Sequence, residues 1–108
     1  MIWLYELCYF AGGAVLTNAL PHLLRGLSGQ PFQSPFASPP GVGLSSALVN
    51  VLWGFANLAG AYFLLGWVGS FEFKSIDMLA LAAGGLAIGI FSARHFGQFH
   101  DSNLVRPS

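Results

Sequence analysis

Charge is what this chain has least of. Its 108 residues include four Lys+Arg and four Asp+Glu, 7% in all, for a formal net charge of zero. Soluble domains carry about a quarter charged residues, so this chain cannot cover a water-facing surface. An apolar content of 55% excludes a disordered chain. The balanced charge excludes a basic nucleic-acid binder. A single cysteine, Cys8, excludes an internal disulfide framework and a CxxC zinc site. Strict apolar–polar alternation is also missing, which removes a membrane β-barrel. With a mean hydropathy of +0.64, what remains is a small integral membrane protein.

Three apolar stretches carry that reading: Ile2 to Leu20, Ser45 to Trp67 and Ser75 to Arg94. Each makes about 30 Å of helix, the thickness of the hydrocarbon core. Backbone groups in lipid must pair within their own segment, so the expected fold is all-α, three transmembrane helices over residues 2–20, 45–67 and 75–94. A Pro-rich loop (21–44) and a tail (95–108) complete a single transmembrane domain over 1–108. The first stretch is expected to be retained: it opens without Lys or Arg, carries Glu6, and ends in a poor cleavage site at Thr17-Asn18-Ala19. Ser45 or Ser46 and Ser75 are expected helix caps. The short Gly69–Lys74 link predicts the second and third helices to be antiparallel neighbours. Arg25, Arg94 and Arg106 fall on one side, which the positive-inside rule assigns to the cytoplasm, with the N-terminus outside. Trp3, Tyr5, Trp67 and Phe71 form the expected outer aromatic belt, and Phe96 and Phe99 the inner one.

The loop holds five of the six prolines, and its apolar Leu23, Leu24, Leu27, Phe32 and Phe36 predict a segment folded back on the bundle. The alternative is a tether whose phenylalanines dip into lipid. Small residues recur at four-residue spacing on two faces of the third helix, as Gly85, Gly89 and Ala93 and as Ala80 and Gly84, and in the second as Ala56 and Gly60. Such stripes allow close helix approach, either inside the bundle or between copies; a homo-oligomer or larger membrane complex is the favoured reading.

Amides in lipid are costly and should face protein. Asn50 and Asn57 share a face of the second helix, Asn57 near mid-membrane. Asn18 is expected beside Asn50, by depth from the inner helix ends. Pro21 interrupts the first helix; if the helix resumes, Asn18, His22 and Arg25 share a face. Arg94 and His95 arrive at the same level from the third helix. The candidate cluster is therefore Asn18, His22, Arg25, Asn50, Arg94 and His95. Two histidines at one depth raise a metal or haem, but His95 and His100 are five residues apart and Cys8 lies about 20 Å away by helix rise, so no metal and no cofactor are expected. An arginine pair with His and Asn donors suits an anionic lipid headgroup or a small anion.

Residues Asn18 to Phe36 (NALPHLLRGLSGQPFQSPF) and Gly43 to Leu58 (GLSSALVNVLWGFANL, counted from Gly43) resemble a group of small bacterial integral membrane proteins of uncharacterised activity. The resemblance covers roughly a third to two-fifths of the chain, and it implies a bacterial inner membrane and no reaction, substrate or cofactor. A likeness to fluoride channels is set aside: these have four spans, and the matching first-helix pattern is missing. No paired carboxylates, Ser-His-Asp or Cys-His arrangement supports catalysis. The expectation is a non-enzymatic accessory or structural membrane module. A small-solute or anion conductor, with Asn50 and Asn57 facing a wet path, and a lipid or cofactor binder using the inner cluster stay open.

Overall fold

The computed structural model describes residues 2–100, the Ile2 side chain excepted. Arg106 and the tail beyond residue 100 lie outside the described residues. The element order is α1 (Ile2–Leu27), β1 (Phe32–Gln33), β2 (Leu44–Ser45), α2 (Ala47–Gly66) and α3 (Ile76–Gly97). All three helices are long and apolar enough to cross a membrane. Two ends of the bundle matter below: the loop end, where α1 finishes and α2 begins, and the link end, where α2 is joined to α3.

The burial pattern is the reverse of a water-soluble bundle. α2 buries Asn50, Gly54, Asn57 and Ala61, one about every turn along a single face. Its Leu48, Leu52, Phe55, Tyr62 and Phe63 are exposed, as are Leu79, Leu86 and Ile90 of α3. Amides and small residues inside, with large apolar side chains outside, place the favourable solvent for those side chains around the bundle. The chain is an integral membrane protein.

α1 corrects the expected boundary: it runs through Pro21 to Leu27, so the first seven residues of the expected loop are helical. A mid-helix proline removes one backbone bond and costs about 3 kcal/mol. The turn beyond it regains that through partners. His22 bonds Asn50, Arg25 bonds His100, and Gly26 lies so close to α2 that a Cβ there would stand 2.8 Å from the Ala47 carbonyl oxygen. α1 ends in a Schellman arrangement. Gln30 N–H donates to Arg25 O at 2.9 Å and Gly29 N–H to Gly26 O at 3.0 Å, with Gly29 at φ 75°.

A second correction concerns the neighbours. α1 packs against both α2 and α3, while those two share little contact with each other. The connection from Trp67 to Ser75 explains how: extended chain covers about 3.3 Å per residue, enough to pass the end of an intervening helix about 10 Å wide. Glycine brings the backbones together. A Cβ on Gly13 would sit 2.0 Å from the Leu81 carbonyl oxygen, and one on Gly84 1.9 Å from that of Phe10. On the other flank Gly54 faces Leu23 and Gly12 faces Leu65.

The loop is ordered by its own bonds. β1 and β2 pair antiparallel, Phe32 opposite Ser45 and Gln33 opposite Leu44. Ser34 organises the segment between them. Its carbonyl accepts from Gly41 N–H at 2.8 Å, and its hydroxyl accepts from Phe36 N–H at 3.1 Å and pairs with the Ser45 hydroxyl at 2.6 Å. Phe32, Gln33, Ser34 and Ala37 are buried, while Phe36 is exposed and meets Trp53 edge-on at 5.1 Å. Ser46 caps α2 by accepting from Val49 N–H at 3.2 Å. Ser75 caps α3 by accepting from Asp77 N–H at 3.1 Å.

Candidate functional site

Antiparallel packing of α1 on α2 sets which polar side chains meet. Asn18 is nine residues from the last residue of α1, and Asn57 is ten from the first of α2. Those depths match, and Asn18 Nδ2 donates to Asn57 Oδ1 at 3.1 Å. Asn57 Nδ2 in turn donates to the Trp53 carbonyl at 2.8 Å. Asn50, only three residues into α2, meets His22 instead. The expected Asn18–Asn50 pair is thus replaced by Asn18–Asn57 and His22–Asn50. The cause is the continuation of α1, which moves Asn18 more than a turn deeper.

Asn50 is fully buried, at 0% exposure. Its Oδ1 accepts from His22 Nδ1–H at 2.7 Å. Its Nδ2 donates towards the carbonyls of Phe32 (3.1 Å), Ser45 (3.2 Å) and Ser46 (3.0 Å). One amide therefore ties α1, both short strands and the start of α2. The bond to Asn50 also fixes the ring of His22, which is 2% exposed. With Nδ1–H donating, Nε2 is the remaining polar atom of the ring, and it has no hydrogen bond among the described residues.

Three more groups stand at the loop end. His95 Nε2–H donates to the Gly41 carbonyl at 2.7 Å, and its ring stacks on Phe91 at 5.4 Å. His100 joins Arg25 to the loop. Arg25 Nη2 donates to His100 Nδ1 at 3.0 Å, so His100 Nε2 carries the proton that it donates to Gln33 Oε1. The His100 ring stacks on Phe32 at 4.8 Å, and the Arg25 guanidinium lies 5.8 Å from the centre of the same ring. Arg94 is exposed and has no hydrogen bond to this group among the described residues, although it sits beside His95. A step of one residue turns a helical side chain by about 100°, so His95 faces the loop and Arg94 faces away. Arg94 therefore leaves the expected cluster, and Gln33 and His100 enter it.

Between these groups is a pocket of about 380 Å³. Asn18 and His22 line it from α1, Trp53 from α2, Phe91, His95 and Phe96 from α3, and Ser34, Pro35, Pro40 and Gly41 from the loop. Every element of the bundle contributes. Most of the wall is apolar, with a few polar atoms, the usual make-up of a small-molecule site. Three acceptors on lining residues have no hydrogen-bond partner among the described residues: His22 Nε2, Asn18 Oδ1 and, with Nε2–H donating, His95 Nδ1. The Trp53 indole N–H is buried in the same wall and has no partner.

The other predicted residues divide plainly. Asn57 is 7% exposed and Asn50 0%, each bonded within the chain. Gly85 packs on Thr17 and Gly60 near Val15, whereas Gly89 has open space where a Cβ would stand. Ala93 and Ala56 are exposed. Among the described residues no group of three or more His, Cys, Asp and Glu side chains is placed to hold a metal ion.

At the link end the structure joins a pair that sequence spacing hides. The carboxyl groups of Glu6 and Asp77 meet across α1 and α3. Asp77 also accepts from Glu72 N–H at 2.9 Å. With Tyr5, Tyr9, Gly69 and Ser70 they line a pocket of about 330 Å³. Comparison of the chain with protein-family profiles, with curated proteins and with solved structures gives no match.

Proposed function

We propose that the protein is a non-enzymatic membrane module that holds a small membrane-soluble molecule in the pocket at its loop end. The observation that carries this reading is His22: almost wholly buried, held by Asn50, and left with Nε2 unbonded at a pocket that all three helices and the loop line. A hydrogen bond to such an atom contributes about 0.5–1.5 kcal/mol net, which a ligand that donates to it would gain. Phe91, 56% exposed at this depth, puts the mouth on the lipid side. The test is native mass spectrometry of protein extracted with its surrounding lipid. A molecule should be retained at one copy per chain, and Phe91→Trp, which narrows the mouth, should reduce it at least fivefold. A wild-type spectrum with lipid background alone removes this reading.

On the same reading the loop end faces the cytoplasm of a bacterial inner membrane, because Arg25 and Arg94 lie there. The outward Arg94 then meets anionic headgroups. Ser70→Cys in a Cys8→Ser background should be labelled by an impermeant maleimide added to intact cells; protection until lysis would reverse the orientation. Association with further copies is a second reading, favoured by the open surface at Gly89 beside exposed Ala93.

A further inference from the structure

The polar atoms of the pocket define the chemistry of what it takes. Resting on the ligand-binding reading above, we infer that the occupant is a neutral, flat-ringed molecule bearing a hydroxyl, of the phenol or hydroquinone head-group class, whose O–H donates to His22 Nε2 or Asn18 Oδ1.

The inference begins with which atoms are already committed. Asn50 Oδ1 accepts a hydrogen bond from His22 Nδ1–H, so His22 offers an acceptor, Nε2, to the pocket. Asn57 Oδ1 accepts from Asn18 Nδ2–H, so the amide oxygen of Asn18 is left over. The Ser34 hydroxyl is occupied by Phe36 N–H and the Ser45 hydroxyl. The Gly41 carbonyl is occupied by His95. The α1 side of the pocket therefore offers a ligand two acceptors, four residues and about 6 Å apart along the helix axis, and His95 Nδ1 is a third, on α3. A ligand that satisfies any of them must bring a donor.

Charge decides between donors. An ammonium would also donate, and rings would welcome it. Yet no carboxylate lines this pocket, and an unpaired charge at membrane depth is strongly disfavoured. A neutral hydroxyl meets the acceptors without that penalty. Shape decides the body. Trp53, Phe91 and Phe96 supply aromatic walls, and Pro35 and Pro40 close the loop side. Rings favour a flat partner stacked or edge-on, and a lipid-side mouth favours one dissolved in the bilayer.

The experiment uses the full chain in lipid nanodiscs with Trp3→Phe and Trp67→Phe, so that Trp53 is the sole indole. The probes share one shape: 2,3,5-trimethylphenol, its methyl ether, and phenyltrimethylammonium. Saturable quenching of Trp53 fluorescence by the phenol is expected, at least tenfold tighter than by the ether. His22→Phe should erase that difference, and Asn18→Leu should reduce it if the first variant does not fold. Equal affinity for phenol and ether, or tighter binding of the ammonium, overturns the assigned class. If the extracted protein still retains a molecule in that case, the pocket reading stands and only its chemistry is wrong. If it retains none, both fall.

Discussion

Asn50→Leu should release the loop from the bundle. The substitution is close in volume, so lost packing contributes little. It removes the acceptor of His22 Nδ1–H and the donors to the Phe32 and Ser45 carbonyls in a site with no exposure. Each buried group left unpaired costs about 1–3 kcal/mol, and water reaches this interior poorly. A loss of about 3 kcal/mol is expected in detergent unfolding monitored by circular dichroism. Ala37→Cys, in a Cys8→Ser background, reports the loop directly. Ala37 is 9% exposed, so its thiol should resist maleimide in the otherwise wild-type chain and react quickly beside Asn50→Leu. Asn50→Asp should fall between the two, because it keeps the acceptor for His22 and loses the amide donors. Unchanged protection in Asn50→Leu would show that the loop is held by its own turn bonds and the Phe32 contact alone.

Gly84→Val should separate α3 from α1. The new Cβ would stand 1.9 Å from the Phe10 carbonyl oxygen and 3.1 Å from the Ala14 amide nitrogen. Neither is a side chain that can turn aside, so the helix axes must move apart along the whole contact. Overpacking of this kind costs about 3 kcal/mol at the upper end of its usual range. The paired control is Gly89→Val, five residues on along the same helix, where nothing stands within 4 Å. That change should stay within about 0.5 kcal/mol for the isolated chain. If copies associate through this face, Gly89→Val should instead abolish chemical cross-linking between them in nanodiscs while leaving the melting profile intact. Cross-linking that survives the change counts against that face as the contact. Similar destabilisation by the two variants would remove the distinction between the packed and the open glycine.

The three spans were readable because hydropathy over about 20 residues is a coarse signal that no single residue controls. The end of α1 was not, because it depends on contacts between distant residues. Pro21 speaks locally against helix, and only His22–Asn50 and Arg25–His100, formed by residues 28 and 75 positions apart, keep the helix going. That one error in length displaced the depth of Asn18 and so mispaired the asparagines. The cluster of histidines at one end was legible from counting crossings. The turning of Arg94 away from His95 was not, since each faces a different neighbour. Gln33 and His100 joined the site through a loop whose path the sequence does not specify. The Glu6–Asp77 meeting was hidden for a simpler reason: each acid lies near the start of its own helix, and nothing local says that α3 runs beside α1 and not α2.

That arrangement of α1 between two flanking helices bears on how the molecule is made. The segment that both later helices need is also the first of the three to be synthesised. Each newcomer entering the bilayer finds its docking groove already laid down, and neither has to wait for the other. Assembly thus becomes two successive dockings onto a standing template, with the glycine notches at Gly12 and Gly26 filled first and the one at Gly13 last.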